Sequence, residues 1–440
     1  MNIPQSSFPR IVVIGGGFAG LTLAKNLANK EAQIVLLDKH NYHTFQPLLY
    51  QVSTGGLEPD SIAYPLRKIL KAHKHSYFRL ADVSYIDTDE KIIHSDIGEL
   101  TYDYLVIATG STTNFFGNKN MEENSMVMKT IPQALNLRSL LLENFEDALL
   151  TPDLNERDAL MNFVIVGGGP TGVELAGALA EIKNSVLPED YPDLDIRRMQ
   201  INLIQSGDQL LDAMSDQASE KAEKFLKKMG VSIYKNVRVN DYDGKHVTTN
   251  SDLSFESVTL IWTAGVKGAS IKGIDAADVL TKSSRIKVDQ YNQVLGYPRV
   301  FAIGDIAAMT TEDFPHGHPM MAQPAIQQGK HLSKNIIRLL KGKEMKPFDY
   351  FDKGSMATVG RNKAVVDLHR IRFQGVFAWF VWMFIHLWSL IGFRNRLVVF
   401  VNWVYNYIKF DTEVRLIIRP YKRNSHKKHT EKEAEIAIDK

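Results

Sequence analysis

Two glycine clusters hold the residues of this chain best suited to chemistry. The first, Gly15-x-Gly17-x-x-Gly20, contains Phe18 and Ala19 and follows the apolar run Ile11-Val12-Val13-Ile14. The second, Gly167-x-Gly169-x-x-Gly172, contains Pro170 and Thr171 and follows Phe163-Val164-Ile165-Val166. In this spacing the first glycine makes a tight turn, the second lets backbone approach a pyrophosphate, and the third allows close helix–strand packing. The ligand is an anion held at a helix N-terminus. The run Ile34-Val35-Leu36-Leu37 then ends in Asp38, followed by Lys39, and an acid at that point accepts hydrogen bonds from a ribose diol. Two dinucleotide sites in one chain suit a flavin enzyme fed by a nicotinamide, where one cofactor stays and the other comes and goes.

Other redox chemistry is closed off. The chain has no Cys, so disulfide exchange, cysteine-held iron–sulfur clusters and Cys-zinc sites are excluded and electrons must move through an organic cofactor. The pairs His40/His43, His73/His75 and His316/His318 lack carboxylate or thiolate company at ligand spacing and are read as solvated or structural, with no metal site. No Ser-His-Asp spacing competes for a catalytic role.

The glycine clusters need strand–turn–helix units to position them, and the pattern predicts helices over residues 21–29 and 173–182. Three further strands end in small or acidic residues. These are Tyr104-Leu105-Val106-Ile107 before Ala108-Thr109-Gly110, Leu260-Ile261-Trp262 before Thr263-Ala264-Gly265, and Val300-Phe301-Ala302-Ile303 before Gly304-Asp305, where an acid can bind a polyol hydroxyl. At 440 residues two or three domains are expected. The fold class is α/β, with two Rossmann-like dinucleotide-binding domains and a helical C-terminal region.

That region is apolar and basic at once. Residues 376–393 contain no Asp, Glu, Lys or Arg and three of the five Trp, which favours an interfacial position at the lower limit of a spanning length. A second apolar run, residues 397–408, has polar residues Asn395, Asn402, Asn406 and Lys409 in one narrow helical stripe, as for a helix lying flat in the interface. A hidden core or a dimer seam is the competing reading. Residues 370–432 carry an excess of nine positive charges while the whole chain is at +2, which calls for an anionic surface, lipid or nucleic acid. No nucleic-acid module accompanies the charge, so lipid is the expected partner. The N-terminus lacks a signal-peptide pattern, and the folded enzyme is expected on the cytoplasmic face of the inner (cell) membrane.

With these motifs in order, and with Asn41-Tyr42-His43-Thr44-Phe45-Gln46-Pro47-Leu48-Leu49-Tyr50-Gln51 and Ala322-Gln323-Pro324-Ala325-Ile326-Gln327-Gln328-Gly329, the chain resembles the type II NADH:quinone oxidoreductases, from about residue 10 to 410. The resemblance implies FAD on the first fold, with Gly304 and Asp305 at its ribitol, NADH on the second, and a membrane quinone as acceptor. It implies FAD-binding parts over 1–120 and 280–365 around an NAD(P)H-binding domain over 121–279, then a membrane-anchoring region over 366–420 and a polar tail over 421–440, expected to be disordered. Gln46, Thr54, Ala322 and Gln323 join the expected cofactor contacts. Relatives that reduce disulfides or sulfide need paired cysteines, which this chain lacks. A soluble NAD(P)H:acceptor reductase of the ferredoxin-reductase kind is the alternative, and a homodimer is left open.

Glu174 either complements a positive helix end or, as the resemblance implies, lies near the flavin and acceptor where it takes part in proton delivery. Lys363 is expected either as its partner or as a solvated lysine. Gln205 ends the strand Ile201-Asn202-Leu203-Ile204 where NADH-selective members carry an acid, which leaves NADPH possible as a donor. Gln323 and Gln327, four apart on one helix face, are expected to offer neutral donors to the carbonyl oxygens of a quinone. They otherwise satisfy backbone near the flavin.

Overall fold

The computed structural model describes residues 1–71, 73–276, 278–368, 370–409 and 415–418; the expected polar tail lies outside the described residues. The chain opens with β1 (Arg10–Ile14), α1 (Phe18–Leu27), β2 (Gln33–Asp38), β3 (Tyr42–Thr44) and α2 (Leu49–Ser53). It continues through β4 (Ser76–Leu80), β5 (Tyr104–Ile107), β6 (Ser111–Thr113) and the long helix α3 (Ile131–Leu150). The second glycine cluster lies between β7 (Asn162–Val166) and α4 (Pro170–Ser185), followed by β8 (Gln200–Gln205), β9 (Ser232–Lys235), β10 (Thr259–Trp262) and β11 (Val266–Gly268). Then come β12 (Val300–Ala302), α5 (Ala322–Leu340), β13 (Ser355–Gly360), β14 (Lys363–Leu368), β15 (Ile371–Gln374), α6 (Val376–Ser389) and α7 (Phe393–Lys409).

Two parallel sheets carry the glycine clusters. The first runs β12-β5-β1-β2-β4 and the second β9-β8-β7-β10. Their central strands are buried almost throughout, Ile11 to Val13 and Phe163 to Ile165 at 0% exposure. That is why they read as continuous β-branched and aliphatic runs rather than alternating ones. β12 returns to the first sheet after the second is complete. The antiparallel pair β6·β11 joins the two folds, Ser111 opposite Gly268 and Thr113 opposite Val266.

Helices α1 and α4 begin earlier than the apolar periodicity predicts, at Phe18 and Pro170, because the last two glycines of each cluster lie at the N-cap and in the first turn. The antiparallel sheet β13-β14-β15 lies against α4, where a Cβ on Gly177 would sit 1.9 Å from the Val359 carbonyl oxygen. Glycine is there because helix and strand touch backbone to backbone.

The C-terminal helices refine the sequence reading. No helix among the described residues is long and apolar enough to cross a membrane. The polar stripe of α7 faces the protein rather than an interface. The Asn395 amide donates to the carbonyls of Asp60 (3.2 Å) and Ala63 (2.9 Å), Asn402 to Glu58 Oε2 (2.7 Å) and Asn406 to the Gly56 carbonyl (3.2 Å). Only Lys409 of the four is exposed. Buried amides need partners, and the carbonyls after α2 supply them. The apolar side is left outward, with Phe377, Phe384 and Trp388 64–67% exposed and Phe393 80%.

Candidate functional site

The two glycine turns are built alike. Gly15 and Gly167 have φ of +106° and +112°, which only glycine takes without strain. A Cβ on Gly20 or Gly172 would lie 2.0 or 1.9 Å from the carbonyl oxygen of Gly15 or Gly167. Around Gly17 and Gly169 a Cβ would meet nothing within 4 Å. Each helix thus starts on an open, side-chain-free cradle, with no acid in its first turn to compete with a phosphate. The residues present fit a pyrophosphate at both sites.

Asp38 ends β2 with Oδ2 accepting from the Gly16 N–H (2.6 Å) and Oδ1 from the His40 N–H (2.7 Å). Its remaining lone pairs are available to a ribose. Gln205 occupies the matching point of the second fold, its Oε1 accepting from the Gly168 N–H at 2.9 Å. Lys39 and Gln46 are exposed, Thr54 is buried and hydrogen-bonds the Tyr50 carbonyl (2.8 Å). Ala108 is buried under the first turn, Thr109 donates to the Ala269 carbonyl (2.7 Å), and Gly110 at φ +73° has open space around it. Ala264 lies against the second turn, where a Cβ on Gly167 would meet it at 2.8 Å, and a Cβ on Gly265 would meet the Phe116 ring at 3.0 Å.

Several partners at this site escaped the sequence reading. Asp305 Oδ2 accepts from Ser111 Oγ (2.6 Å), and Ser111 in turn accepts from Lys129 Nζ (2.8 Å). Burial pulls the Lys129 ammonium below its usual range, against the pull of the Asp305 charge. Arg285, 5% exposed, donates to the carbonyls of Asp305, Ala307, His316 and His318 and fixes the turn that carries Gly304 and Asp305. The side chain on α5 that grips this turn is Gln328, whose Oε1 accepts from the Gly304 N–H at 2.7 Å. His43, the buried member of one sequence-noted pair, contacts the Gly16 carbonyl oxygen through Nδ1 (3.0 Å), and burial lowers its pKa. No group of three or more potential metal ligands occurs among the described residues.

The expected acceptor-side residues separate. Gln323 is half-buried at the start of α5 beside Ala322, whereas Gln327 spends both ends of its amide on the Phe351 backbone, at 2.8 and 3.1 Å. Glu174 is half-buried on α4, and desolvation of its carboxyl pushes its pKa to about 8 against a hydrogen bond from the Thr358 backbone. Lys363 acts on a different acid from the one expected. Its charge and that of Arg361 bear on Glu181, two helical turns after Glu174, whose carboxylate also accepts from the Arg361 N–H.

Residues 9–329 match the family described as Pyridine nucleotide-disulphide oxidoreductase, and residues 353–409 match the NDH2 C-terminal domain. The type II NADH:quinone oxidoreductase Ndh of Mycobacterium tuberculosis is 36% identical over 414 residues, covering 91% of this chain and 88% of that protein. The chain belongs to the type II NADH:quinone oxidoreductases. It is an oxidoreductase whose cofactors are FAD and NADH. The type II NADH:quinone oxidoreductase of Haemophilus influenzae is 28% identical, covering 91% of this chain and 98% of its own. In fold the chain is similar to the structure of NDH2 from Plasmodium falciparum in complex with NADH, with a TM-score of 0.85 at 22% identity, covering 93% of this chain and all of that one.

Proposed function

We propose that this chain passes electrons from NADH through bound FAD to a membrane quinone, without pumping protons, from the face of a bilayer. The observation that carries the reading is the inverted C-terminal pair. α7 spends its amides on residues 56–63 of the flavin fold and turns aromatic and aliphatic side chains outward, so an apolar surface lies beside a flavin site rather than apart from it. An exposed apolar patch rimmed by Lys and Arg suits an anionic leaflet, and with it a cytoplasmic-face, monotopic position. A soluble ferredoxin-type reductase has no use for such a face.

In this reading Gly15, Gly17, Phe18, Ala19, Gly20, Asp38, Lys39, Gln46, Thr54, Ala108 to Gly110, Gly304 and Asp305 hold FAD. The second cluster, with Gln205, Ala264 and Gly265, receives the nicotinamide dinucleotide. FAD supplies the two-electron relay. The protein supplies orientation: Gln328 and Arg285 hold the Gly304–Asp305 turn, and Asp38 holds both the glycine loop and a ribose. Since Gln327 is committed to Phe351, the neutral donor offered to the quinone is Gln323. Glu174, protonated at neutral pH, serves as a proton reservoir on the acceptor side.

The test is acceptor-resolved turnover of the purified protein. NADH should bleach the flavin spectrum and a short-chain benzoquinone should restore it. Gln323→Ala should slow quinone turnover while leaving ferricyanide turnover nearly intact. The intact chain should float with anionic vesicles, and a chain ending at residue 374 should not. Bleaching without quinone reoxidation would turn the assignment to the soluble reductase.

A further inference from the structure

Tyr50 is buried at 6% exposure on α2, which packs against α3 and α4. Its phenol oxygen accepts a hydrogen bond from Gln51 Nε2 at 2.8 Å, and Gln51 Oε1 accepts from Trp403 Nε1 on α7, also at 2.8 Å. An indole N–H only donates, so Trp403 fixes which end of the Gln51 amide faces it and therefore which end faces Tyr50. The phenol oxygen is filled by an amide donor, which leaves the phenol hydrogen to point elsewhere. Burial first, and then the charges of Glu174 and Glu181 on α4 when those carboxyls are ionised, keep the phenol protonated. Glu181 in turn lies within the field of Lys363 and Arg361, and His386 on α6, lowered to about 4 by burial, is neutral.

The segment carrying Tyr50 touches both ends of the expected electron path. Upstream, His43 contacts the glycine turn of the first fold, and downstream Gly56, Glu58 and Asp60 receive the amides of α7. In the quinone reading, an acceptor that reaches the flavin from the apolar face would meet this segment. We propose that Tyr50 is the proton donor to the quinone oxygen, set in its donating orientation by Trp403 through Gln51. This rests on the quinone reading above. The two electrons and one hydrogen come from NADH by way of FAD, which the family's activity supplies. The second proton comes from Tyr50: its O–H bond breaks as an O–H bond forms on the acceptor, and the phenolate takes a proton from the Glu174 carboxyl, itself refilled from water. Tyr50 is then a catalytic residue, and Trp403 and Gln51 are positioning residues.

The experiment compares Tyr50→Phe and Trp403→Phe with the parent, each as the full FAD-loaded chain. Tyr50→Phe should lower kcat with a short-chain benzoquinone by roughly 10²-fold, with flavin bleaching by NADH and ferricyanide turnover within about twofold of the parent. Trp403→Phe, which removes one N–H, should give a smaller loss confined to quinone. In the parent, D₂O should slow quinone turnover and not ferricyanide turnover. Parental quinone rates in Tyr50→Phe, or equal losses with both acceptors, would overturn the proposal. Should Tyr50→Phe fail to hold flavin, Trp403→Phe decides, and an undiminished quinone rate there overturns it. A parent protein that reduces ferricyanide and never quinone would sink the functional reading itself, which is a separate result.

Discussion

The glycine turns of the first and second dinucleotide folds are near copies in backbone and differ in three features around them. Both have a left-handed first glycine, an open second and a third pressed on a carbonyl, and both close the middle glycine under a leucine, Leu66 over Gly16 and Leu210 over Gly168. The strand-end group on the middle glycine is a carboxylate in one, Asp38, and a neutral amide in the other, Gln205. Two residues past the third glycine the first helix has Thr22, its hydroxyl spent on the Phe18 carbonyl, and the second has Glu174, kept protonated by burial. The first fold is also covered by its own chain, with His43 against Gly16. On the reading proposed above, one scaffold retains a cofactor, and the other admits one and sits beside an acid.

The largest effect should come from the glycine that the folds share most closely. Gly172→Ala places a methyl 1.9 Å from the Gly167 carbonyl and 2.9 Å from Thr263 Oγ1, so the turn has to open. Flavin bleaching by NADH should be essentially lost with FAD content preserved, whereas Gly20→Ala should yield protein depleted of FAD. Equal flavin loss in both variants would mean that the two turns do not serve separate cofactors.

How much of this was legible follows from sequence distance. β1, β2, β7 and the glycine turns were readable because fully buried parallel strands are continuous apolar runs and each turn is local. The partners of Asp305 were not: Ser111 is 194 residues away, Arg285 meets the turn through carbonyls, and neither contact leaves a spacing to read. Gln328 was passed over for Gln323 and Gln327 because periodicity gives a helix face and not what lies opposite it. The stripe on α7 was legible as a stripe, but not the surface it faces. Asn at helical spacing serves backbone carbonyls as well as water, and the exposed carbonyls after α2 decided it.

The intermediate effect concerns Glu174. A carboxyl whose pKa in the folded chain, about 8, lies above its ordinary 4.5 favours the folded state when protonated. That contribution is complete below about 4.5 and drains away as pH rises through 8. Glu174→Gln should therefore raise Tm relative to the parent more at pH 9 than at pH 6. It should also slow quinone turnover and remove a descending limb near pH 8 that ferricyanide turnover lacks. The same Tm difference at both pH values would place the carboxyl in water.

The smallest effect tests the strand-end difference. Gln205 Oε1 already accepts from Gly168, and a glutamate there can keep that bond while adding a negative charge beside the ribose. The charge repels the 2′-phosphate of NADPH, whereas NADH offers it a hydroxyl that donates. Gln205→Glu should therefore lower kcat/KM for NADPH by about tenfold, roughly 1.4 kcal/mol, and leave that for NADH within about twofold. The mirror change Asp38→Asn keeps an acceptor for Gly16 and removes the charge, so it should loosen FAD without altering the NADH/NADPH ratio. If Gln205→Glu leaves that ratio where it was, the amide serves the glycine turn alone, and donor choice is set elsewhere in the second fold.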